Sequence, residues 1–304
     1  MSKIAVIGGG LMGHGIALTM ARAGHDVAVT DPSAEALASV PARIAESLKP
    51  LMAADEAEAV LGHVFLCPTL SEAVSEADFV FEAGPEKLDI KHAIFADIEA
   101  HAPTDTILAS NTSVIQITKI MAHLKGQHRA MGTHWWNPPH MIPLVEVVKT
   151  EWTDPAHAQS MFDLLADAGK TPVMVEKDVP GFIGNRLQHA LWREAISLVE
   201  NGICDAEAVD TVIKASFGRR LAVLGPLENA DLVGTDLTLD IHENVLFDLE
   251  DRQGPSPYLQ QLVKEGRLGM KSGQGFRTWS EQEAKKVRAK VGSHLQKLET
   301  ILKD

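Results

Sequence analysis

Cysteine and long apolar runs are both scarce in this chain of 304 residues. Cys67 and Cys204 are the two cysteines; a chain without a disulfide framework is typical of a reducing compartment. No apolar stretch reaches the ~18 residues that a membrane-spanning helix needs. The opening residues, MSKIAVIGGG, lack the basic region and cleavage site of a secretory signal. We therefore expect a cytoplasmic protein with no membrane partner.

Basic residues are also few, since 28 Lys and Arg stand against 41 Asp and Glu, for a formal net charge of −13. A phosphate backbone is bound by clustered cations, so this balance disfavours nucleic acid as a partner. The histidines between residues 123 and 140 lack the spacing of a metal site, and we expect no metal. A small anionic substrate needs only one or two local cations and agrees with this charge.

A β–α–β pattern is present at the start of the chain. KIAVI at 3–7 predicts a buried strand, GGGLMG opens a helical pattern, and DVAVT at 26–30 predicts a second strand. Further strands are predicted at 79–83, 106–110, 130–136 and 144–148. Strands that alternate with helices predict an α/β fold, a Rossmann-type doubly wound parallel sheet covered on both faces.

The pattern changes near residue 180, where apolar residues begin to recur at helical spacing and strand candidates become few. This change predicts two domains, a Rossmann domain at 1–180 and an all-α domain at 181–304. From about residue 281, apolar residues at steps of three and four, ending at Leu302, predict one amphipathic helix.

Gly8, Gly10 and Gly13 form the spacing G-x-G-x-x-G between the first predicted strand and helix. The first glycine suits a tight turn, the second lets the backbone approach a pyrophosphate, and the third lets helix and strand pack closely. Asp31 ends the second strand, where a carboxylate accepts hydrogen bonds from ribose hydroxyls and repels a 2′-phosphate. Because no arginine stands beside Asp31, the pattern predicts NAD rather than NADP as the cofactor.

His134 and Glu146 stand twelve residues apart in the largely apolar stretch GTHWWNPPHMIPLVEVV. Imidazole titrates near neutral pH and can exchange a proton with an alcohol. A carboxylate on its other nitrogen fixes the tautomer and stabilises the imidazolium. Taken alone, His134 fits a buried core histidine better than a base, and a helix N-cap is the alternative interpretation of Asn185.

Several motifs in the same order together resemble the L-3-hydroxyacyl-CoA dehydrogenase family, which includes gulonate dehydrogenases of the λ-crystallin type and pyridine dehydrogenases of vitamin B6 breakdown. The resemblance covers nearly the whole chain. It rests on GGGLMG, FEAGPEKLDIK, ASNTSVIQIT, GTHWWNPPHMIPLVEVV, DVPGFIGNRL, GPLENADLVGTD and GMKSGQGF. It implies an NAD-dependent oxidoreductase that moves a hydride from the 3-hydroxyl of a small hydroxy acid, and a homodimer.

The resemblance also implies roles for individual residues. His134 corresponds to the catalytic base and Glu146 to its partner, while Ser113 and Asn185 correspond to groups that position the substrate oxygen. The implied cofactor-binding residues are Gly8, Gly10, Leu11, Met12, Gly13, Asp31, Glu86, Lys91, Asn111, Ser113 and Asn137. The expected substrate contacts are Ser113, Trp135, Asn185, Arg219 and Arg220. Strand alternation predicts that only one of Trp135 and Trp136 faces the pocket, the other facing the core.

The substrate class stays open at this stage. Members that act on CoA esters carry a long charged helical hairpin after the second strand, whereas the stretch after residue 32 here is short and acidic. Arg219 or Arg220, just before LGP, fits a residue that binds a carboxylate and fits equally a surface arginine near a helix end. Both features favour a free acid, but PSPYLQQLVKEGRLGMKSGQGF resembles the acyl-CoA members. The alternatives are a short-chain CoA thioester and, in another class, a non-catalytic NAD-binding protein of the crystallin kind.

Overall fold

The computed structural model describes residues 1–301 apart from the side chain at position 299, so the predicted apolar position Leu302 lies outside the described residues. The chain divides into two compact units, the first spanning Met1–Arg186 and the second beginning at Leu187. None of the helices in residues 1–301 combines the length and apolarity that crossing a membrane requires.

The first unit is built on one sheet of eight strands in the order β3-β2-β1-β4-β5-β6-β7-β8. The strands are β1 (Lys3–Ile7), β2 (Asp26–Thr30), β3 (Val64–Leu66), β4 (Phe79–Glu82), β5 (Ile107–Ser110), β6 (Ala130–Trp135), β7 (Leu144–Val148) and β8 (Thr171–Val175). Its helices are α1 (Leu11–Arg22), α2 (Ala34–Leu48), α3 (Ala54–Leu61), α4 (Leu70–Val74), α5 (Leu88–His101), α6 (Ile117–Met121) and α7 (Pro155–Asp167), with a 3-10 turn at Gln127–Arg129. This arrangement confirms the predicted Rossmann-type α/β fold.

One pair of strands departs from the parallel arrangement that the sequence predicted. β6 and β7 are antiparallel, while every other neighbouring pair of the sheet is parallel. The connection between them, residues 136–143, is shorter than the roughly dozen residues of a parallel crossover. The sheet is therefore mostly parallel, and the predicted parallel arrangement does not hold at this pair. Two strands, β3 and β8, were also not predicted.

Apolar side chains bury both faces of the sheet in two clusters. Met131, Trp135 and Val145 belong to the cluster that also contains Ile16 of α1 and Leu165 of α7. On the other face, a second cluster contains Leu108, Val148, Phe95 of α5, Ile117 of α6 and Phe182. Strand residues contribute to both clusters because successive side chains point to opposite faces.

The second unit consists of helices in its described residues, with β pairing confined to isolated bridges at Gly269–Gln274 and Gln274–Thr278. α8 (Gly184–Glu200) begins before the unit boundary. The others are α9 (Ala206–Ala215), α10 (Pro226–Val233), α11 (Thr235–Val245), α12 (Pro257–Lys264) and α13 (Glu281–Ile301), with 3-10 turns at Phe217–Arg219 and Leu246–Asp248. The predicted all-α character is confirmed, and the predicted terminal helix is α13.

Candidate active site

The glycine turn between β1 and α1 has the geometry of a dinucleotide cradle. Gly8 has φ +113°, which side-chain-bearing residues rarely adopt, and a Cβ there would lie 2.7 Å from the carbonyl oxygen of Ala83. A Cβ on Gly13 would lie 1.7 Å from the carbonyl oxygen of Gly8, so α1 packs directly on the turn. A Cβ on Gly10 would meet nothing within 4 Å. That open space lies at the uncapped N-terminus of α1, which is suited to a pyrophosphate.

Asp31 lies beside this turn, directly after β2. Its Oδ2 accepts a hydrogen bond from the backbone N–H of Gly9 at 2.8 Å, and its Oδ1 accepts one from Ser33 at 2.8 Å. The carboxylate is thereby fixed at the carboxyl end of the strand, where a ribose would bind. The cradle and Asp31 together fit NAD. Leu11, the first residue of α1, is 60% exposed.

His134 and Glu146 are direct partners across the antiparallel pair β6 and β7. The Nδ1 of His134 lies 2.7 Å from the Oε2 of Glu146, and both side chains are buried. The other oxygen of Glu146 accepts hydrogen bonds from the backbone N–H groups of Ile183 at 2.8 Å and Gly184 at 3.0 Å. The amino end of α8 therefore holds the carboxylate, and its dipole favours the negative charge.

These contacts decide which nitrogen of His134 carries the proton. Burial alone would raise the pKa of Glu146, but the bonds from His134, Gly184 and Ile183 hold that pKa below its usual value. An ionised carboxylate only accepts hydrogen bonds, so Nδ1 of His134 donates to it. The Nε2 of the neutral ring is then left as an acceptor, the state that a general base requires.

The ring of His134 lies between two aromatic side chains. Its centroid is 5.3 Å from that of Trp136 and 5.5 Å from that of Phe182. Phe182 has φ 51° and follows Gly181 with φ 78°, so two successive left-handed residues direct the chain into α8. A residue with a bulky side chain in the left-handed region costs about 1–2 kcal/mol, and strained backbone of this kind is typical of functional sites. The sequence contained no signal for this conformation.

Trp135 does not occupy the position that the sequence analysis gave it. Its indole is 2% exposed, packs edge-on against Phe81 at 5.9 Å, and lies under the ammonium of Lys170 at 5.2 Å. His134 and Trp135 are successive residues of β6, so their side chains lie on opposite faces of the sheet. The assignment of Trp135 to the substrate pocket is corrected: Trp136, and not Trp135, lies beside His134.

Ser113 and Asn185 are also brought together. The amide nitrogen of Asn185 donates to the backbone carbonyl of Ser113 at 2.9 Å. The N–H groups of Ser113 and Val114 donate to Oε1 of Glu86 at 3.0 and 3.2 Å. The loop after β5 is thus held from two sides. Burial would raise the pKa of Glu86, but hydrogen bonds, first that of Thr112, and the charge of Lys91 hold it below its usual value.

Lys91 is buried among carboxylates rather than exposed. Its Nζ lies 2.8 and 2.9 Å from the two oxygens of Glu82 and 3.5 Å from Oε2 of Glu86. Glu82 was missed by the sequence analysis. Its signal was the same as that of Glu146, since FVFEA places a carboxylate within an apolar strand.

Two predicted asparagines have different environments. The Oδ1 of Asn111 accepts a hydrogen bond from the backbone N–H of Trp135 at 3.0 Å, and so connects the ends of β5 and β6. Asn137 is exposed in the connection after β6. Met12 of α1 is partly buried and packs against the core.

His14 and His140 form a pair that the sequence analysis also missed. Their ring centroids are 6.5 Å apart, and the Nδ1 of His14 lies 2.8 Å from the carbonyl oxygen of Gly10. Burial, together with the charges of His14 and Lys170, lowers the pKa of His140 to about 4. His140 is therefore a neutral imidazole at physiological pH.

Arg219 and Arg220 are both exposed at the short turn after α9 in the second unit. Neither forms an ion pair with any carboxylate whose side chain the structure describes. Among the described residues, no group of three or more His, Cys, Asp or Glu side chains is arranged to hold a metal ion.

Two family models match the chain in sequence. Residues 3–179 match the NAD binding domain of 3-hydroxyacyl-CoA dehydrogenase, and residues 181–279 match the C-terminal domain of the same enzyme. The chain belongs to the 3-hydroxyacyl-CoA dehydrogenase family. It is an NAD-dependent dehydrogenase that acts on CH–OH groups.

Individual relatives span several substrates. The chain is 37% identical over 302 residues to 5-formyl-3-hydroxy-2-methylpyridine 4-carboxylate 5-dehydrogenase of Mesorhizobium japonicum, covering 99% of this chain and 98% of that protein. It is 39% identical to mitochondrial hydroxyacyl-coenzyme A dehydrogenase of Rattus norvegicus, covering 91% and 90%. It is 39% identical to L-carnitine dehydrogenase of Streptomyces griseus, covering 76% and 70%.

One solved structure extends the similarity to the whole fold. The crystal structure of a 5-formyl-3-hydroxy-2-methylpyridine 4-carboxylic acid 5-dehydrogenase, an NAD⁺-dependent dismutase, superposes with a TM-score of 0.91. The two chains are 35% identical, and the match covers 100% of this chain and 99% of that one.

Proposed function

We propose that this dehydrogenase oxidises the 3-hydroxyl group of a small free hydroxy acid, with His134 as the base. The observation that carries the proposal is the 2.7 Å contact between His134 Nδ1 and Glu146 Oε2. It fixes the tautomer in which Nε2 accepts a proton, inside an aromatic enclosure that limits water. NAD, when bound, supplies the hydride acceptor.

The side chains of the protein remove the hydroxyl proton and hold the substrate oxygen. His134 removes the hydroxyl proton through Nε2, and Glu146 stabilises the imidazolium that results. Ser113 and Asn185 hold the substrate oxygen that becomes a carbonyl oxygen, and in the reverse direction they polarise it. The loop supports these roles, because the Ser113 N–H donates to Glu86 and the Ser113 carbonyl accepts from Asn185, which fixes the backbone from both sides.

The free-acid substrate class is supported by the region after β2. α2 and α3 are short, with 15 and 8 residues. Residues 33–66 contain five carboxylates and two cations, Arg43 and Lys49, a net charge of −3. Lys49 is paired with Glu46. A CoA moiety carries several phosphates, and this acidic surface opposes them. Two of the three relatives above are named for free carboxylates, and one of these matches this chain over 99% of its length.

A CoA thioester is the second candidate. The observation that favours it is the 39% identity with a mitochondrial hydroxyacyl-coenzyme A dehydrogenase over 91% of the chain. The two candidates differ in the charge and size of the group that lies beyond the reacting carbon.

A paired substrate panel tests the proposal. Free 3-hydroxy acids, hydroxymethyl- and formyl-pyridine carboxylates, and 3-hydroxyacyl-CoA esters of matched chain length would be compared through NADH absorbance. We expect the highest kcat/KM with a free acid. A kcat/KM for CoA esters that exceeds that of every free acid would move the assignment to the thioester, and no turnover with any member would favour a non-catalytic NAD-binding role.

A homodimer formed by the second unit is part of the proposal. Phe247 is 82% exposed and Leu227 79% exposed, and many other apolar side chains of α8–α12 are exposed with them. Large exposed apolar areas indicate a protein interface. Light scattering should therefore give twice the chain mass of 32.9 kDa, and a monomer at micromolar concentration would contradict this.

The cytoplasm is the compartment that we propose. Cys67 and Cys204 are both free, which agrees with a reducing compartment. Fractionation of cells that express the protein tests the assignment.

A further inference from the structure

Glu82 is a fully buried carboxylate for which neither the reaction nor the fold alone accounts. It is the last residue of β4 and is 0% exposed. Its Oε1 accepts hydrogen bonds from the N–H of Gly84 at 2.7 Å and from Lys91, and its Oε2 accepts from Ser110 at 2.6 Å and from Lys91. Every donor is directed at the charged form, and burying a charge without such partners costs several kcal/mol.

The formal charges around Glu82 do not cancel. Glu82 and Glu86 contribute two carboxylates, and Lys91 contributes one ammonium, so the cluster has a formal charge of −1. Glu82 and Lys91 are shielded from solvent, while the side chain of Glu86 is 38% exposed, so water screens the charge of the cluster only in part.

The cluster adjoins the cofactor cradle. The Ala83 carbonyl oxygen, next to Glu82, is the atom that a Cβ on Gly8 would meet at 2.7 Å. β1 lies between β2 and β4 in the sheet, and a dinucleotide binds across such a switch in strand order. Asp31 follows β2 and marks the adenosine half, so the nicotinamide half belongs over the ends of β4 and β5, where Glu82 and Ser110 lie.

We propose that Glu82 is a positioning residue that holds Lys91 and sets the charge of the nicotinamide half-site at −1, and that this charge selects the oxidised cofactor over the reduced one. The nicotinamide ring carries one positive charge in NAD⁺ and none in NADH. A net negative charge beneath it stabilises the oxidised form, while contacts that both forms share cancel in the ratio of their dissociation constants.

The test measures that ratio in variants that change the cluster's charge in known steps. Glu82→Gln keeps the shape and brings the charge to zero. We expect Kd(NAD⁺)/Kd(NADH) to rise on the order of ten-fold, the size expected for a unit charge in a partly buried site with an effective dielectric constant of ~20. Lys91→Met brings the formal charge to −2, and the ratio should fall rather than rise. Calorimetry for NAD⁺ and tryptophan-to-NADH energy transfer give the two constants without turnover.

The double variant E82Q/K91M separates charge from shape. It removes both buried partners but restores the cluster to −1 through Glu86. The ratio should return to within about three-fold of wild type even if both affinities fall. The formal charge equals that of the wild type, so the roughly ten-fold effect of a changed charge no longer applies. Since it leaves no unpaired buried charge, it is also the variant best able to fold.

A matched control lies in the same helix. Glu99 of α5 is half-buried, accepts hydrogen bonds from the N–H groups of Lys125 and Gly126, and lies eight residues from Lys91, ~12 Å along the helix. Glu99→Gln makes the same change in charge and should leave the ratio unchanged.

Three results would overturn the proposal. Equal loss of both affinities in Glu82→Gln would leave Glu82 with a structural role only. So would a double variant that keeps the altered ratio of Glu82→Gln. If Glu82→Gln does not fold, Lys91→Met still tests the direction of the effect. A rise of Kd(NAD⁺)/Kd(NADH) in Lys91→Met would contradict the inference.

Discussion

The indole of Trp136 occupies the space that a side chain on Gly184 would need. A Cβ on Gly184 would lie 2.5 Å from Cζ2 of Trp136 and 3.4 Å from Oε2 of Glu146. The N–H of the same glycine donates to Glu146 at 3.0 Å. Gly184 therefore joins the aromatic wall of His134 to the carboxylate that orients it, and only the smallest residue fits there.

Gly184→Ala should damage the site. The added methyl group must displace Trp136 or the amino end of α8, and overpacking of this kind costs about 1–3 kcal/mol. Because Glu146 loses its alignment, we expect kcat to fall roughly ten-fold or more, on the scale of misplaced catalytic groups. Melting temperature and steady-state kinetics measure the two effects. Gly292→Ala, where a Cβ meets nothing within 4 Å, should cost neither. Unchanged turnover in Gly184→Ala would show that Trp136 does not support His134.

Much of the fold follows from local patterns. β1, β2 and β7 begin and end where the apolar runs predicted, because buried strands need continuous apolar residues. β3 and β8 were missed for physical reasons. β3 has only three residues, and two of them, Phe65 and Leu66, are at least 39% exposed. β8 contains Pro172, a residue that normally argues against a strand and is tolerated at the sheet edge that β8 forms.

The cofactor cradle was predictable from the spacing of Gly8, Gly10 and Gly13, and the catalytic pair from polar residues that interrupt apolar strands. His134 and Glu146 gave that signal, but their direct pairing depends on the antiparallel register, which spacing alone does not determine. Which of Trp135 and Trp136 faces the pocket depends on the face of the sheet on which each side chain lies, and the sequence does not show this. The left-handed backbone at Phe182 and the pairing of His14 with His140 arise from tertiary contacts that leave no local pattern.

His134→Gln should lower kcat by roughly 10²–10⁴, the usual contribution of a general acid–base group. NAD binding should change little, because His134 lies apart from the glycine turn on the far side of β4 and β5 in the sheet. Glu146→Gln should also reduce turnover, since the imidazolium loses its counter-charge. Kinetics and a binding titration on each variant provide the two readouts. Retention of more than about a third of wild-type turnover would rule out His134 as the base.

NAD should be preferred to NADP by a factor that depends on Asp31. Its carboxylate is fixed by Gly9 and Ser33, and it cannot turn away from a 2′-phosphate without breaking both bonds. Repulsion in a partly buried site amounts to a few kcal/mol. Asp31→Ser should therefore reduce the ratio of kcat/KM for the two cofactors by at least ~10-fold, whereas the wild-type enzyme should use NADP poorly. Comparable kcat/KM values for both cofactors in the wild type would contradict this reading.

Stability should fall between about pH 6.5 and pH 4 because of His140. Burial lowers its pKa from 6.5 to about 4, so over this interval the unfolded chain binds a proton that the folded chain does not. The contribution of the neutral His140 to the free energy of unfolding is therefore fully present above pH 6.5 and declines as the pH falls. Since His140 keeps some exposure to solvent, we expect its share to be about 1–3 kcal/mol.

His140→Gln should flatten this part of the curve of melting temperature against pH. A residual slope is expected, because burial also lowers the pKa of His14 and of His25. His123→Gln, a change at an exposed imidazole, is the control and should leave the slope as it is. The prediction fails if the variant and the wild type lose stability in parallel as the solution is acidified.

We expect Arg219 or Arg220 to bind the carboxylate of the substrate. Both guanidinium groups are exposed and neither is engaged by a carboxylate whose side chain the structure describes, so their charge is available. A bidentate guanidinium–carboxylate bond contributes about 1.5–3 kcal/mol, so its loss in Arg219→Ala or Arg220→Ala should raise KM for the best free acid roughly 10- to 100-fold. Lysine at the same position should restore it only in part, because an ammonium cannot form the two parallel bonds. Arg288→Ala, at an exposed arginine of α13, is the control.

If neither substitution affects KM and acetoacetyl-CoA is turned over far faster than every free acid, the substrate is a thioester and the short region after β2 is a reduced CoA-binding arm.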